Sequence, residues 1–178
     1  VVDIGGGTTD IAVLSLGGIV SSASIKIAGN TLDKDITKNI KDKYKLLIGE
    51  RTAEEIKIKI GTVFEDKNTK MSVRGRNLVT GLPHTIQITS SEIKEALLDS
   101  VYQIVRTVKN VLEQTPPELS ADIIEKGIVL TGGGALLNGL DKLLEKELKV
   151  NVKVAENPLS CVAEGTGILL SNLYLIER

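Results

Sequence analysis

Three consecutive glycines at residues 5–7, set between two apolar segments, restrict the folding of this chain more than any other feature. The run "VVDIGGGTTDIAVLSL" places β-rich stretches at residues 1–4 and 11–16 on either side of a bare turn, with Asp3 before it, Asp10 after it, and Thr8 and Thr9 between. A P-loop would end in Gly-Lys-Ser/Thr and open a helix, and the dinucleotide fingerprint also opens a helix. Here a strand follows. What is left is a β-hairpin whose tip exposes successive backbone amides. Without Cβ atoms, Gly5, Gly6 and Gly7 can curl around an anion as a nest, with the Thr8 and Thr9 hydroxyls as further donors. A carboxylate beside a phosphate is unfavourable unless a cation intervenes, so on this reading Asp3 implies a divalent metal, with Mg²⁺ held through water. The competing reading is a tight hairpin whose glycines serve only positive φ.

The rest of the chain reads as an α/β protein with a charged insertion. A second turn, "SLGGIV", leads to a strand over 19–27, giving a three-stranded meander. Apolar residues of both parities (Ile11, Ala12, Val13, Leu14) predict a strand covered on both faces. From residue 30 the pattern turns helical, with Leu32, Ile36, Ile40, Tyr44 and Leu47 on one face and Gly49 as a stop. Thr52 and Glu55 have capping-box spacing before a second helix. Residues 70–89 read as two strands around "TGLP". A second capping box, Thr89 with Glu92, opens a long helix carrying Ile93, Leu97, Val101, Ile104, Val105, Val108 and Leu112 until Pro116 and Pro117 end it. A strand over 127–131 precedes a second glycine triplet and a leucine-striped helix through Leu136, Leu140, Leu143, Leu144 and Leu148. "VNVKVAE" is one more strand, and "PLSCVAEGTGILLSNLYLI" a last helix. The expected division is a discontinuous larger lobe, residues 1–31 and 93–178, around a smaller lobe at 32–92.

Three further features bear on chemistry. In "IVLTGGGALLNGL", Gly132, Gly133 and Gly134 stand between a strand and a helix, whose N-terminus would suit a polar or anionic ligand; close packing alone would also explain them. Two triplets at strand ends make one nucleotide crevice the economical reading. Glu54 and Lys57 fall three apart on one helix face, which by itself reads as a solvated ion pair. Ser160 reads as a helix N-cap, Cys161 as a small buried hydrophobe, and His84 as exposed.

Composition narrows the function classes. A net charge of −1, with 22 basic against 23 acidic residues, argues against a nucleic-acid partner, and three tyrosines with one phenylalanine offer no base-stacking platform. One cysteine excludes an internal disulfide, and one histidine excludes a histidine metal cluster. No apolar run approaches the ~18 residues of a membrane span, and no signal-peptide pattern is present. An intracellular protein is expected. The chain begins without methionine, inside an apparent strand, as a piece of a longer protein would.

"DIGGGTTD" resembles the second phosphate motif of the actin, sugar-kinase and heat-shock-chaperone superfamily, and "GIVLTGGGALLNGL" its adenosine motif. "SIKIAGNTLDKDI", "IGERTAEEIKIKIG", "TGLPHTIQI" and "NPLSCVAEGTG" extend the similarity, over nearly all 178 residues, to the rod-shape-determining bacterial actins of the MreB family. The resemblance implies the second half of an actin-like, ribonuclease H-like ATPase fold: subdomain IIA (1–31 and 93–178) with subdomain IIB (32–92) inserted. It further implies that Gly5, Gly6, Gly7, Thr8 and Thr9 cradle the ATP β- and γ-phosphates, with Thr8 and Thr9 where the family positions attacking water. Asp3 would help hold hydrated Mg²⁺. Gly29 and Asn30 would lie near the nucleotide, Glu54, Glu55, Ile56 and Lys57 along ribose and adenine, and Gly132, Gly133, Gly134 and Ala135 at the adenosine. Asp10 stands where many relatives carry glutamate and is assigned no role.

The function so implied is that of an ATP-binding cytoskeletal protein forming membrane-associated filaments that direct cell shape and cell-wall synthesis. Its partners would be further copies of itself and, through the parent protein, cell-shape and cell-wall-synthesis membrane proteins. The parent would be a slow cytoplasmic ATPase at the inner face of the membrane. The first phosphate loop, the water-activating glutamate and the membrane-inserting segments belong to the family's first half, so this chain alone is expected to be inactive. A small-molecule kinase of the same superfamily is the alternative, and a protein-docking module a third reading.

Overall fold

The segments flanking the glycine run pair as antiparallel strands in the computed structural model, which describes residues 1–65 and 68–172. β1 (Val2–Ile4) lies against β2 (Thr9–Ser15) with Asp3 opposite Asp10, and β2 turns through Leu16 and Gly17, both at positive φ, into β3 (Gly18–Ile25). The other edge of β1 pairs in parallel with β7 (Ile128–Thr131), and β7 in parallel with β8 (Val152–Val154). The sheet order is thus β3-β2-β1-β7-β8. Parallel neighbours need a long crossover, and between β1 and β7 it contains the whole insertion.

That insertion carries its own sheet. α1 (Gly29–Tyr44) buries Leu32, Ile36 and Ile40 and ends at Lys45 in left-handed geometry. It is followed by β4 (Leu46–Leu47), α2 (Glu50–Ile60), β5 (Lys70–Asn77) and β6 (Pro83–Thr89), with β4, β5 and β6 forming a three-stranded antiparallel sheet. α2 starts at Glu50 with Gly49 as N-cap, so Thr52 lies inside the helix and caps nothing; Glu55 pairs instead with Lys59 one turn on.

α3 (Ser90–Glu113) joins the two regions. Its capping box forms as expected: the Thr89 amide donates to Glu92 Oε2 at 2.8 Å, and the Glu92 amide to Thr89 Oγ1. At ~1.5 Å per residue it spans ~36 Å, burying Ile93, Leu97, Val101, Ile104, Val105, Val108 and Val111 against α1 at one end and β2 and β3 at the other. Because α3 crosses one face of the sheet, β2 alternates: Thr9, Ile11 and Val13 are buried, whereas Asp10 and Leu14 are exposed. The expectation of a strand covered on both faces is corrected accordingly.

Beyond α3 the chain forms α4 (Pro117–Lys126), α5 (Leu140–Leu148) and α6 (Cys161–Ser171). α4 was not legible as a helix, although Pro117 at its first turn is a favoured starter. Cys161 is half-exposed rather than buried, its thiol 3.2 Å from the Asn157 carbonyl. Ser160 is the N-cap residue of α6 but makes no side-chain cap bond. The last helix was expected to run past residue 172, and that portion lies outside the described residues. No described helix is long and apolar enough to cross a membrane.

Candidate functional site

The glycine turn is open outward. Gly5 N–H donates to the Thr8 carbonyl at 3.0 Å, closing the hairpin, while Gly6, Gly7 and Thr8 are exposed. The hairpin forms, but none of the three glycines has positive φ, so they do not serve positive φ there and strict nest geometry does not hold. A Cβ on Gly7 would meet nothing within 4 Å, and on Gly5 or Gly6 only ordinary contacts at 3.5 and 3.4 Å. The fold itself does not require glycine at these positions. The amides of Gly6 and Gly7 have no partner among the described residues. A bare surface with free donors, not demanded by the local chain, fits an external anion.

The threonines divide. Thr8 is exposed and its hydroxyl donates to Asp10 Oδ2 at 2.9 Å, a contact no sequence motif announced. Thr9 is fully buried and donates to the Ile27 carbonyl at 2.6 Å. Strand alternation turns it into the core, so the expectation that Thr9 faces the turn is corrected.

Asp3 accepts from the Thr131 hydroxyl at 2.8 Å, in the register that sets Asp3 beside Thr131 on parallel strands. Its second oxygen has no described partner, and the described residues contain no group of three His, Cys, Asp or Glu that would cage an ion. One oriented carboxylate suits a cation that keeps most of its waters, as Mg²⁺ does.

The N-terminus of α1 is tied to the turn. Gly29 N–H donates to the Gly5 carbonyl at 3.0 Å and Asn30 N–H to the Gly6 carbonyl at 2.8 Å. α2 packs alongside, and the four residues at 54–57 point in different directions. Glu54 is exposed and, with Asn30, Asp33, Lys34 and Arg51, lines a polar cavity of about 570 Å³. Glu55 is turned outward to Lys59, and Ile56 is wholly in the core. Lys57 pairs not with Glu54 but with Asp33, at 2.8 Å, because α1 shelters that face of α2. The solvated Glu54–Lys57 pair is therefore corrected to a sheltered interhelical one.

The second triplet serves packing. Gly132 has φ +81°, and a Cβ there would lie 2.3 Å from the Ile4 carbonyl oxygen; on Gly134 it would lie 2.2 Å from Ile4 Cγ2. A 3₁₀ turn follows at Gly133–Leu136, Ala135 is buried, and α5 begins only after Gly139. The triplet does not open an α-helix, so no α-helix N-terminus stands at this turn, contrary to expectation. It nevertheless stands at the carboxyl end of β7 next to that of β1, where open α/β sheets bind ligands. The Val63 amide donates to the Asn138 carbonyl at 3.0 Å, fastening the end of α2 to this side.

The geometry thus gathers Asp3, the Gly5–Thr8 turn, the start of α1, Lys57 and the Gly132–Gly134 turn around the carboxyl ends of β1 and β7, in the middle of the sheet. A family model described as "MreB/Mbl protein" matches residues 1–178. The cell shape-determining protein Mbl of Bacillus subtilis (strain 168) is 64% identical over 179 residues, covering 100% of this chain and 54% of the relative. The structure of MreB5 of Spiroplasma citri bound to ADP superposes with a TM-score of 0.93 at 44% identity, over 97% of this chain and 53% of that one; the same protein bound to AMPPNP is equally similar. The MamK filament structure matches with a TM-score of 0.69 at 25% identity, over 89% and 49% of the two chains. The chain spans about half the length of the relatives it matches.

Proposed function

Because this chain belongs to the MreB/Mbl protein family, we propose that it forms one wall of the ATP site of a bacterial actin-like protein that polymerises and directs cell shape. The observation that carries the reading is the outward-facing Gly5–Gly7 turn, which is bare although the fold does not need it to be. Its free amides would take the β- and γ-phosphates. Asp3, oriented by Thr131, would hold hydrated Mg²⁺, whose charge offsets the phosphates. Thr8, fixed by Asp10, would present its hydroxyl oxygen beside the turn, where a water could be held. Gly132–Gly134 and the Glu54–Lys57 stretch would flank the nucleoside. Residues 1–31 with 93–178 make up the nucleotide-binding lobe on this reading, and residues 32–92 the inserted one.

Self-assembly draws support from the family and from the MamK filament. Attachment to the inner face of the membrane and engagement of cell-wall-synthesis proteins are properties of the parent protein on this reading. Sedimentation of the full-length protein with and without Mg-ATP tests it. ATP-dependent pelleting is the expected result. Soluble protein that phosphorylates a small molecule would favour a kinase of the same fold instead.

A further inference from the structure

The Lys57 ammonium is committed to the protein. It lies 3.1 Å from the Gly29 carbonyl oxygen and 2.8 and 2.9 Å from Asp33 Oδ1 and Oδ2. The two side chains are only 15% and 14% exposed. Hydrogen-bond geometry is met at Oδ2; Oδ1 is a close charge contact, shut off from water, with no hydrogen bond of its own. A sheltered ion pair with an under-used oxygen contributes little net stability, because desolvation offsets the attraction. Its geometry is more telling. The carbonyl it grips belongs to the first residue of α1, whose amide bonds back to Gly5 while the next amide bonds to Gly6. Gly29 has no slack, since a Cβ there would already lie 3.3 Å from the Gly5 carbonyl oxygen and 3.5 Å from Lys57 Nζ.

We propose that Asp33 is a positioning residue for the nucleotide site: it holds the Lys57 ammonium on the Gly29 carbonyl, clamping the start of α1 to the Gly5 and Gly6 carbonyls so that the turn keeps its free amides facing outward. The inference rests on the ATP reading above. Lys57 then acts through the clamp rather than as a phosphate ligand, and it also cancels the Asp33 charge that would otherwise repel phosphate at close range.

The test uses the full-length protein, with titration of a fluorescent ATP analogue and amide hydrogen exchange on wild type, Asp33→Asn and Asp33→Glu. Asp33→Asn should weaken nucleotide binding about tenfold, a modest coupling. Exchange at Gly29 and Asn30 should quicken while the α3 core amides stay protected, and Asp33→Glu should recover part of both. Unchanged affinity and unchanged exchange at Gly29 and Asn30 would overturn the proposal. So would a uniform rise in exchange with affinity intact below the melting temperature, which marks a merely structural pair. Should Asp33→Asn not fold, the same readings on Lys57→Arg, which keeps the charge but alters the reach to Gly29, decide the matter by the same criteria. If wild type binds no ATP analogue, the ATP reading fails on its own, and exchange at Gly29 and Asn30 still decides whether the clamp exists.

Discussion

The Thr131 hydroxyl donates to Asp3 Oδ1 at 2.8 Å, joining two residues 128 positions apart in the chain. The bond exists because β1 and β7 are parallel neighbours in a register that sets Asp3 beside Thr131. It fixes one carboxylate oxygen and leaves the other with no partner among the described residues, the oxygen that would face hydrated Mg²⁺ on the proposed reading. Thr131→Val keeps the shape and removes the donor. In the full-length protein this variant should need about 10–100-fold more Mg²⁺ to reach half-maximal ATP binding, the usual effect of losing an orienting partner behind a metal ligand. A titration of ATP binding against Mg²⁺ checks it, and an unchanged midpoint would remove Asp3 from the metal's surroundings.

The two glycine triplets should respond oppositely to substitution. Gly7→Val meets no protein atom within 4 Å and no positive φ, so stability should move by no more than about 0.5 kcal/mol while ATP binding is lost to the branched side chain. Gly134→Val drives a Cβ into Ile4 and should destabilise by at least roughly 1–3 kcal/mol. Urea melts alongside ATP titrations separate the two. Retained ATP affinity in Gly7→Val would mean that the bare turn serves no phosphate.

Glu92 should make stability fall in acid. Burial pushes its carboxyl up, but bonds from Lys43, the Tyr44 hydroxyl and the amide and hydroxyl of Thr89 outweigh burial and hold it at about 2, against an ordinary 4.5. A depressed carboxyl contributes stability that is present above 4.5 and lost as pH falls from 4.5 through about 2. Glu92→Gln should cost about 1 kcal/mol at pH 7, the scale of a helix cap, and the gap to wild type should narrow below pH 4.5. Urea melts at pH 7, 4 and 3 measure it; a gap independent of pH would assign the effect to packing.

The 178-residue chain by itself should fold and release no phosphate from Mg-ATP. Phosphoryl transfer to water depends on charges and positioning groups around the γ-phosphate, and the residues gathered here stand on one side of it only, at the carboxyl ends of β1 and β7. Phosphate release is compared with a Thr8→Ala control. Sustained turnover that the control loses would place the full catalytic set within these residues.

Local chemistry made much of the fold legible. The hairpin at Gly5–Gly7, the capping box at Thr89 and Glu92, and the apolar spacing of α3 are readable because near neighbours decide them. α4 carries no clear sequence signature because its residues bury little: none is fully enclosed, so no apolar stripe marks it. Thr9 and Thr8 look alike in sequence, and only the pairing of β2 decides which faces the core. Gly132–Gly134 reads like a ligand turn, yet the close approach of Ile4 is what demands glycine there. Glu54 is the obvious partner for Lys57 along one helix, but the packing of α1 on α2 delivers Asp33 from 24 residues away. The sequence by itself determined most of the elements, the two glycine turns and the family. Only the tertiary structure decided which side chains meet at the site, because those meetings depend on strand register and helix packing between distant segments, which no local pattern encodes.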